Sequence, residues 1–514
     1  MNIGEWPARW AQRYPEEPAV KYGDREYTKR EVNVRVNRAA HALQSEGVRK
    51  GDRVAVLMAN SNVFLEIFLA LSKLGAIMVP LNFRLAPPEL EYILADSEPV
   101  LLLYSPEFSA AADALKGRAP SVREFFCELE GGAPNDLVYE AWTEGRSEDE
   151  PVPDAEVVLD DPQFIMYTSG TTGKPKGAVI LHGNTQWNAI NSVATYAMDN
   201  RDVQLACAPF FHIGGLGVSA TPSLYVGAKL VVHRFFNPSE VLKSIEADKA
   251  TLVFGIPVMF LFMSLVPEFE TVDLSSVKFF IAGGSPCPRP LIETYLKRGL
   301  TFNQGYGMTE TAPGITALRP QDAVRKLGSC GKPLLHTDVR VVDLQDRELP
   351  TGGIGEVLVR GPNVIRQYWR RPRETAETIV HGWLHTGDMG YFDAEGYLYL
   401  VDRKKDMYIS GGENVYPAEV EDVLMGCEAV ADVGVIGIPD EKWGEVGMAV
   451  VVPKAGASAA TEEAIIAFCR SRLAKYKIPK RVIFVKELPR TATGKILKKE
   501  LKALYSQRPE QTRP

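Results

Sequence analysis

The chain has 514 residues, more than one hydrophobic core supports, so at least two domains are expected. Its 45% hydrophobic and 24% charged residues are those of an ordinary soluble globular protein, and a net charge of −7 argues against nucleic acid as the main partner. The six cysteines, at 127, 207, 287, 330, 427 and 469, form no Cys-x-x-Cys pair, and no His-Glu-x-x-His occurs. A disulfide framework and the common zinc signatures are therefore excluded, and a reducing cytosol fits.

In chain order, Thr28-Lys-Arg-Glu31 is a capping box, and Val32, Val36, Ala39, Ala40 and Leu43 follow at helical spacing. Val54 to Met58 is a short apolar run, residues 62–74 read as helix, and Ile77–Leu81 and Val100–Tyr104 read as buried strands with a helix over Pro87–Ala95 between them. This alternation predicts a layered α/β fold with a largely parallel sheet. Residues 107–160, richer in Pro, Gly and acids, read as surface connections. Residues 250–267 carry no charge; their prolines and length predict a buried strand and a helix opening at Pro257, not a membrane span. From 320 to 400 the texture changes to short β-rich runs at Val339–Val342, Gly355–Val359 and Gly396–Val401, a small β-subdomain. Asp402-Arg-Lys-Lys-Asp406 reads as a charged, weakly structured link, and 413–504 as a compact α/β unit. The N-terminus lacks the layout of a signal peptide.

One stretch carries chemistry on its face. Tyr167-Thr-Ser-Gly-Thr-Thr-Gly-Lys-Pro-Lys-Gly177 packs hydroxyls, glycines and two lysines into eleven residues. Glycines let backbone N–H groups approach an anion, hydroxyls add donors and lysines add charge, so a polyphosphate is the natural ligand. A solvated turn is the plain alternative. The spacing is not that of a P-loop, because Pro175 stands where its second glycine belongs, and no Gly-x-Ser-x-Gly hydrolase elbow occurs. Gly215-Leu-Gly217-Val-Ser-Ala220 fits Gly-x-Gly-x-x-Ala but follows no clear strand and is read as a chance match. Between Arg470 and Lys502, twelve Lys/Arg face two glutamates, a local net of +10; it forms a solvated face or attracts an anionic cosubstrate.

Further segments are Asn303-Gln-Gly-Tyr-Gly-Met-Thr-Glu310, His385-Thr-Gly-Asp388, the run from Asp402 to Glu421, and Pro489-Arg-Thr-Ala-Thr-Gly-Lys495. Each alone is compatible with a turn beside a charge. Together and in this order they resemble the AMP-forming adenylating enzymes: acyl- and aryl-CoA synthetases, peptide-synthetase adenylation domains and beetle luciferases. The similarity spans nearly the whole chain. Pro209-Phe-Phe-His212-Ile-Gly-Gly and Ile409-Ser-Gly-Gly-Glu-Asn-Val-Tyr-Pro resemble the fatty-acyl and aryl-CoA ligases. The resemblance implies a large N-terminal domain (1–401) of layered α/β sheets with a small β-subdomain, a hinge (402–406) and a small mobile C-terminal α+β domain (407–514).

It also implies roles. Thr168, Ser169, Gly170, Thr171, Thr172 and Lys176 would cradle the β- and γ-phosphates of ATP. Glu310, assisted by Thr168, would bind Mg2+, a hard cation suited by oxygen ligands. Thr309 would meet the α-phosphate, and Tyr306 would stack on adenine, with Gly283, Gly284, Ser285, Gly305, Gly307 and Met308 around the nucleotide. Asp388 would accept from the ribose hydroxyls, and Arg403 would bind the nucleotide and fix the hinge. Lys495 would be the adenylation catalyst, bridging the substrate carboxylate and the α-phosphate. Lys405 matches a pivot about which the C-terminal domain turns between half-reactions. Gly411, Gly412 and Glu413 would line a pantetheine tunnel, and Trp443, Tyr476 and Lys480 would hold CoA. Ile478 departs from a basic residue found there in an aryl-CoA ligase. His212 would gate the acyl pocket, in which Gly284 and Gly305 leave room for substrate.

The leading expectation is a cytoplasmic AMP-forming acid–CoA ligase using ATP, Mg2+ and CoA on a medium- or long-chain fatty acid, with an aryl acid next. A stand-alone adenylation domain loading a carrier protein is an alternative, although no carrier-like segment occupies the about twenty residues after Lys495. A luciferase-type oxygenase and a nucleotide-binding regulator without turnover have less support. A homodimer and peripheral association with a membrane surface are both compatible with the sequence.

Overall fold

The computed structural model describes residues 2–129, 132, 136–168, 174–285, 287–454, 461–470, 472–490 and 496–505. The chain divides into two compact units, Met1–Val339 with Val359–Leu384, and Arg340–Leu358 with His385–Pro514.

The first unit has the expected layered α/β architecture. One sheet runs in the order Ser329–Pro333, Gly314–Leu318, Phe302–Gly307, Phe279–Ala282, Leu252–Gly255, Val203–Ala206, Lys229–Val232, Pro18–Tyr22 and Arg25–Thr28. Its middle strands are parallel and its two ends antiparallel. A second sheet runs Leu137–Val138, Glu124–Cys127, Leu101–Tyr104, Arg53–Leu57, Ile77–Pro80, Pro162–Thr168 and Lys176–Leu181. It is parallel up to its last pair, which is an antiparallel hairpin.

The helix Asn62–Leu74 shows why the layers hold. It is apolar around most of its circumference and all of its residues are buried, the pattern of a helix inside the protein. Ser61 Oγ accepts from the Phe64 N–H at its start, and Gly75 closes it with φ +71°. Its two charged side chains are paired, Glu66 with Arg35 at 2.7 Å and Lys73 with Glu150 at 2.5 Å. The helix Lys29–Ser45 begins on the predicted capping box, Thr28 Oγ1 accepting from Glu31 N–H and Glu31 Oε2 from Thr28 N–H. The strand Leu252–Gly255 and the helix Pro257–Leu265 also form as the sequence predicts.

The stretch 107–160 departs from expectation. Two of its segments, Glu124–Cys127 and Leu137–Val138, extend the second sheet, and Tyr139 and Trp142 are buried. Phe125-Phe126-Cys127 is too short to display a period, and the acidic, Gly- and Pro-rich flanks hide it. Gly214–Ala220 is a π-helix, so its glycine pattern belongs to a widened turn and not to a dinucleotide fingerprint.

In the second unit, Gly355–Arg360, Trp383–Phe392 and Leu398–Arg403 lie side by side. Residues 388–392 pair antiparallel with 398–403, Asp388 opposite Arg403. A separate sheet runs Glu413–Val415, Tyr408–Ser410, Gly444–Pro453, Val430–Asp440, with Arg481–Phe484 added parallel to Gly444–Pro453. Val420 and Leu424 of the helix Pro417–Met425, with Ile465 and Cys469 of the helix Glu462–Arg470, close its core. The charged run at 402–406 is better ordered than its composition implies. Asp402 and Arg403 complete a strand, Lys404 N–H donates to Gly387 O, and Asp402 Oδ2 accepts from Ala418 N–H at the start of Pro417–Met425. Among the described residues, no helix is long and apolar enough to cross a membrane.

Candidate active site

The hydroxyl-rich stretch is the connection of a hairpin. Thr168 ends the strand Pro162–Thr168, Lys176 opens Lys176–Leu181, and the two are register partners, with Thr168 Oγ1 donating to Lys176 O at 3.5 Å. Ser169, Gly170, Thr171 and Thr172 lie outside the described residues. A stretch that passes from one strand to its antiparallel neighbour differs from the strand-to-helix passage of a P-loop, in keeping with Pro175 at the place of the second glycine.

Beside this hairpin stands Glu310, in a helical turn at Thr309–Thr311 and only 6% exposed. Its Oε1 accepts a hydrogen bond of 2.9 Å from the Tyr368 hydroxyl. Burial, then the charge of Glu310 and the bond to it, push the Tyr368 phenol far above its ordinary value, so it stays a donor. The Lys176 ammonium sits over the Tyr368 ring, 5.1 Å from its centre. One tyrosine thus touches both the lysine of the hairpin and the buried carboxylate.

The backbone that carries Tyr368 is stitched on both sides. Trp369 N–H donates to Gly177 O, Val179 N–H to Gln367 O, and Ala178 forms an antiparallel bridge with Tyr368. On the other side, Ile365 N–H donates to Glu310 O, and Asn363 Nδ2 donates to Thr311 O and Gly314 O at 2.7 Å. Asn184 Nδ2 donates to Pro362 O and Val364 O. The segment from Pro362 to Trp369 fixes the hairpin against the Glu310 turn. Reading the sequence for motifs missed Tyr368, Asn363 and Asn184. The paired aromatics Tyr368-Trp369 amid polar residues were the available signal.

The glycines converge elsewhere in the same unit. Gly283 follows the strand Phe279–Ala282, Gly305 lies on Phe302–Gly307, and Gly214 opens the π-helix. A Cβ on Gly283 would stand 3.3 Å from the Phe254 ring and 3.6 Å from Gly305 O, and one on Gly214 would stand 2.9 Å from the same ring. Gly284 has φ +82° and, with Ser285, is exposed. Tyr306 lies opposite Thr316 in the sheet, half-buried; Gly307 is exposed, and Met308 N–H donates to Pro313 O, closing the turn that carries Thr309. His212 is exposed, and its Nδ1 accepts from Gly214 N–H at 3.1 Å. The imidazole therefore caps the π-helix, and a neutral ring carries its proton on Nε2.

In the second unit, Asp388 is 6% exposed and its Oδ1 meets Arg403 Nε at 2.5 Å. Glu356 holds the segment before it: its Oε1 accepts from Gly387 N–H, and its Oε2 meets His385 Nδ1 at 3.2 Å and Lys404 Nζ at 2.8 Å. Burial pushes the Glu356 carboxyl up, but its bonds to Lys404 and His385 prevail and hold it below its ordinary value. The Gly-Glu-Val run flagged only as strand concealed this anchor. Lys405 is exposed in the turn after Arg403. Gly411 N–H donates to Trp443 O, and a Cβ on Gly411 would stand 2.7 Å from the Trp443 ring, so two of the expected CoA contacts pack on each other. Glu413 is exposed. Tyr476 is half-buried against the core of this unit, and Lys480 is exposed, its N–H donating to Gly447 O. Lys495 lies outside the described residues.

Among the described residues no cluster of three or more His, Cys, Asp or Glu could hold a metal. A cation at Glu310 would then draw most of its ligands from phosphate and water, as Mg2+ usually does. The chemistry fits: Tyr368 occupies one oxygen of Glu310 and leaves the carboxylate a hard donor.

Comparison with known proteins bears on this arrangement. The model of the AMP-binding enzyme family matches residues 7–369, and that of the AMP-binding enzyme C-terminal domain matches 419–495. A feruloyl-CoA synthase of Amycolatopsis sp is 44% identical over 98% of this chain and 99% of its own. The long-chain-fatty-acid–CoA ligase FadD13 of Mycobacterium tuberculosis is 40% identical over 93% of this chain and 92% of its own. The o-succinylbenzoate coenzyme A synthetase of Bacillus subtilis, solved with ATP and a magnesium ion, superposes with a TM-score of 0.86 at 34% identity, covering 97% of this chain and 99% of that one.

Proposed function

We propose that this chain, which belongs to the AMP-binding enzyme family, is an AMP-forming acid–CoA ligase. The observation that carries the reading is the buried Glu310 carboxylate, tied through Tyr368 to the lysine of the phosphate hairpin. In the first half-reaction a substrate carboxylate oxygen attacks the α-phosphorus of ATP, and pyrophosphate leaves with its electron pair. In the second, the CoA sulfur attacks the acyl carbonyl, AMP leaves as the acid anhydride breaks, and the thiol proton passes to solvent. Phosphoryl transfer asks the protein mainly for positioning and charge stabilisation.

The residues divide this work. The hairpin from Thr168 to Lys176 holds the β- and γ-phosphates. Glu310 and Thr168 would hold Mg2+, whose charge would offset that of the phosphates. Tyr306 and the Gly283–Ser285 turn receive adenine, and Asp388 accepts from the ribose. Lys495 meets the charge that gathers as two anions approach. The domain reading is 1–401, 402–406 and 407–514, with rotation about Lys405 exchanging Lys495 for the Gly411–Glu413 loop and the thiol.

For the acid, an aryl carboxylic acid ranks first. Its support is the identity to a feruloyl-CoA synthase over nearly the full length and the apolar group that brings Phe254 and Tyr196 beside Gly214, Gly283 and Gly305. A fatty acid is the second reading, supported by the likeness to FadD13. The test is a panel of alkanoic, benzoic and cinnamic acids with ATP, Mg2+ and CoA, following pyrophosphate and thioester together. The reading expects both products, each dependent on the acid. Pyrophosphate without thioester, or neither with any acid, refutes it.

A further inference from the structure

Tyr196 closes the helix His182–Tyr196 and is only 8% exposed. It packs into an apolar group with Met198, Ala208, Leu252, Phe254 and Ile281. Its hydroxyl makes no hydrogen bond to another described residue, yet it is not among the fully enclosed oxygens that lack one, so it keeps some accessible surface. The hydroxyl points at the glycine-lined wall: a Cβ on Gly305 would stand 3.7 Å from it. The Phe254 ring in the same group lies against Gly214 and Gly283.

Two more polar groups share this neighbourhood. Ser192 lies one helical turn before Tyr196 on the same face, and the residue is mostly buried, although its hydroxyl is not among the enclosed oxygens without a partner. Asn303 stands two residues before Gly305, hence on the same side of the sheet, and is the register partner of Ile281. Its Oδ1 is buried without a partner among the described residues. The enclosed Asn303 carbonyl oxygen is costly to leave without a partner, and the open Tyr196 hydroxyl becomes so once a ligand covers it. A hydrocarbon tail against them leaves the cost standing, whereas a ligand with its own polar group removes it.

We infer that the Tyr196 hydroxyl is a specificity determinant that hydrogen-bonds a polar substituent on the far side of the acid, so that the chamber selects hydroxylated aryl acids over plain hydrocarbon chains. The inference rests on the ligase reading above and narrows its substrate. Its logic is that of any site built to bond a substrate hydroxyl: an analogue lacking the group leaves buried protein atoms unpaired and is rejected. Ser192 and Asn303 are the neighbouring groups able to share the bond.

The test compares 3- and 4-hydroxycinnamate with 4-methylcinnamate, cinnamate and decanoate, in the parent enzyme and in Tyr196→Phe, as kcat/KM at saturating ATP and CoA. The methyl acid matches the 4-hydroxyl acid in size but cannot bond. The parent enzyme is expected to favour a hydroxyl acid over the methyl acid by at least about tenfold, the discrimination that leaving one such group unpaired carries. Tyr196→Phe should bring the ratio to within about twofold, chiefly by lowering kcat/KM for the hydroxyl acid. A parent enzyme that prefers decanoate or treats hydroxyl and methyl acids alike overturns the inference without recourse to the variant. So does a variant that loses all acids in equal proportion. Failure of every acid to yield pyrophosphate or thioester in the parent removes the ligase reading, and this inference with it.

Discussion

Replacing Tyr368 by phenylalanine deletes one oxygen atom and leaves the ring on which Lys176 rests. What is lost is the 2.9 Å bond to the Glu310 carboxylate, with both side chains about 6% exposed. A hydrogen bond to a charged group contributes about 1.5–3 kcal/mol, and removing the donor leaves a buried anion short of a partner. Because Glu310 is proposed to engage the cation that travels with ATP, the loss should appear as a fall of about 10- to 150-fold in kcat/KM for ATP, at about 1.4 kcal/mol per tenfold. The assay is acid-dependent pyrophosphate release across a Mg2+ titration, run beside thioester formation from preformed acyl adenylate. The second reaction has no triphosphate to hold and should stay within about twofold. An adenylation rate within about twofold of the parent at every Mg2+ concentration would refute the positioning role. Equal losses in both reactions would do the same, by marking the change as general damage.

Other contacts carry their own expectations. Gly215→Ala drives a Cβ into the Pro209 carbonyl oxygen, a backbone atom with nowhere to go, and should cost about 3 kcal/mol in a denaturant melt. Gly305→Ala meets its neighbours at ordinary contact distance, 3.7 and 3.8 Å, so its stability should stay within about 1 kcal/mol while its acid preference shifts toward smaller rings. Glu356 is held below its ordinary value of 4.5, so its contribution to folding is present in full above that value and is lost as the pH falls through the lower folded-state value. The stability gap between the parent and Glu356→Gln should accordingly close on acidification below about pH 4.5, as read from urea midpoints between about pH 3 and 7. Lys495→Ala should slow adenylation about 10²–10³-fold and leave thioester formation from added acyl adenylate nearly intact; equal slowing of both would deny it the proposed role.

Local signals in the sequence carried far where the structure obeys local rules. The capping box at Thr28 and Glu31, the buried strand before Pro257 and the punctuation around Thr168 and Lys176 are each written in a few adjacent residues. What escaped notice depends on partners distant in the chain. Tyr368 is 58 residues from Glu310 and Glu356 is 48 from Lys404, and neither stands in a run whose composition sets it apart. Glu124–Cys127 was lost because four residues cannot reveal a period, and the π-helix because Gly-Gly-Leu-Gly-Val-Ser-Ala has no repeat that distinguishes a wide turn from a loop. Tyr196 stands in none of the motifs legible in the sequence. Its interest arises only once folding has placed its oxygen opposite Gly305 with no hydrogen bond to another described residue.

The wide turn at Gly214–Ala220 has an evolutionary corollary. A single π turn in a helix is equivalent to one inserted amino acid whose surplus is absorbed within one winding. Excising any one of those seven positions would let the winding tighten to the ordinary pitch. The chain on its N-terminal side would then rotate by about 100° against the helix Thr221–Val226 on its C-terminal side. The wall of the acid chamber proposed above would be reshaped with it. A one-codon deletion here is thus a short mutational route by which descendants of this chain could exchange one class of carboxylic acid for another.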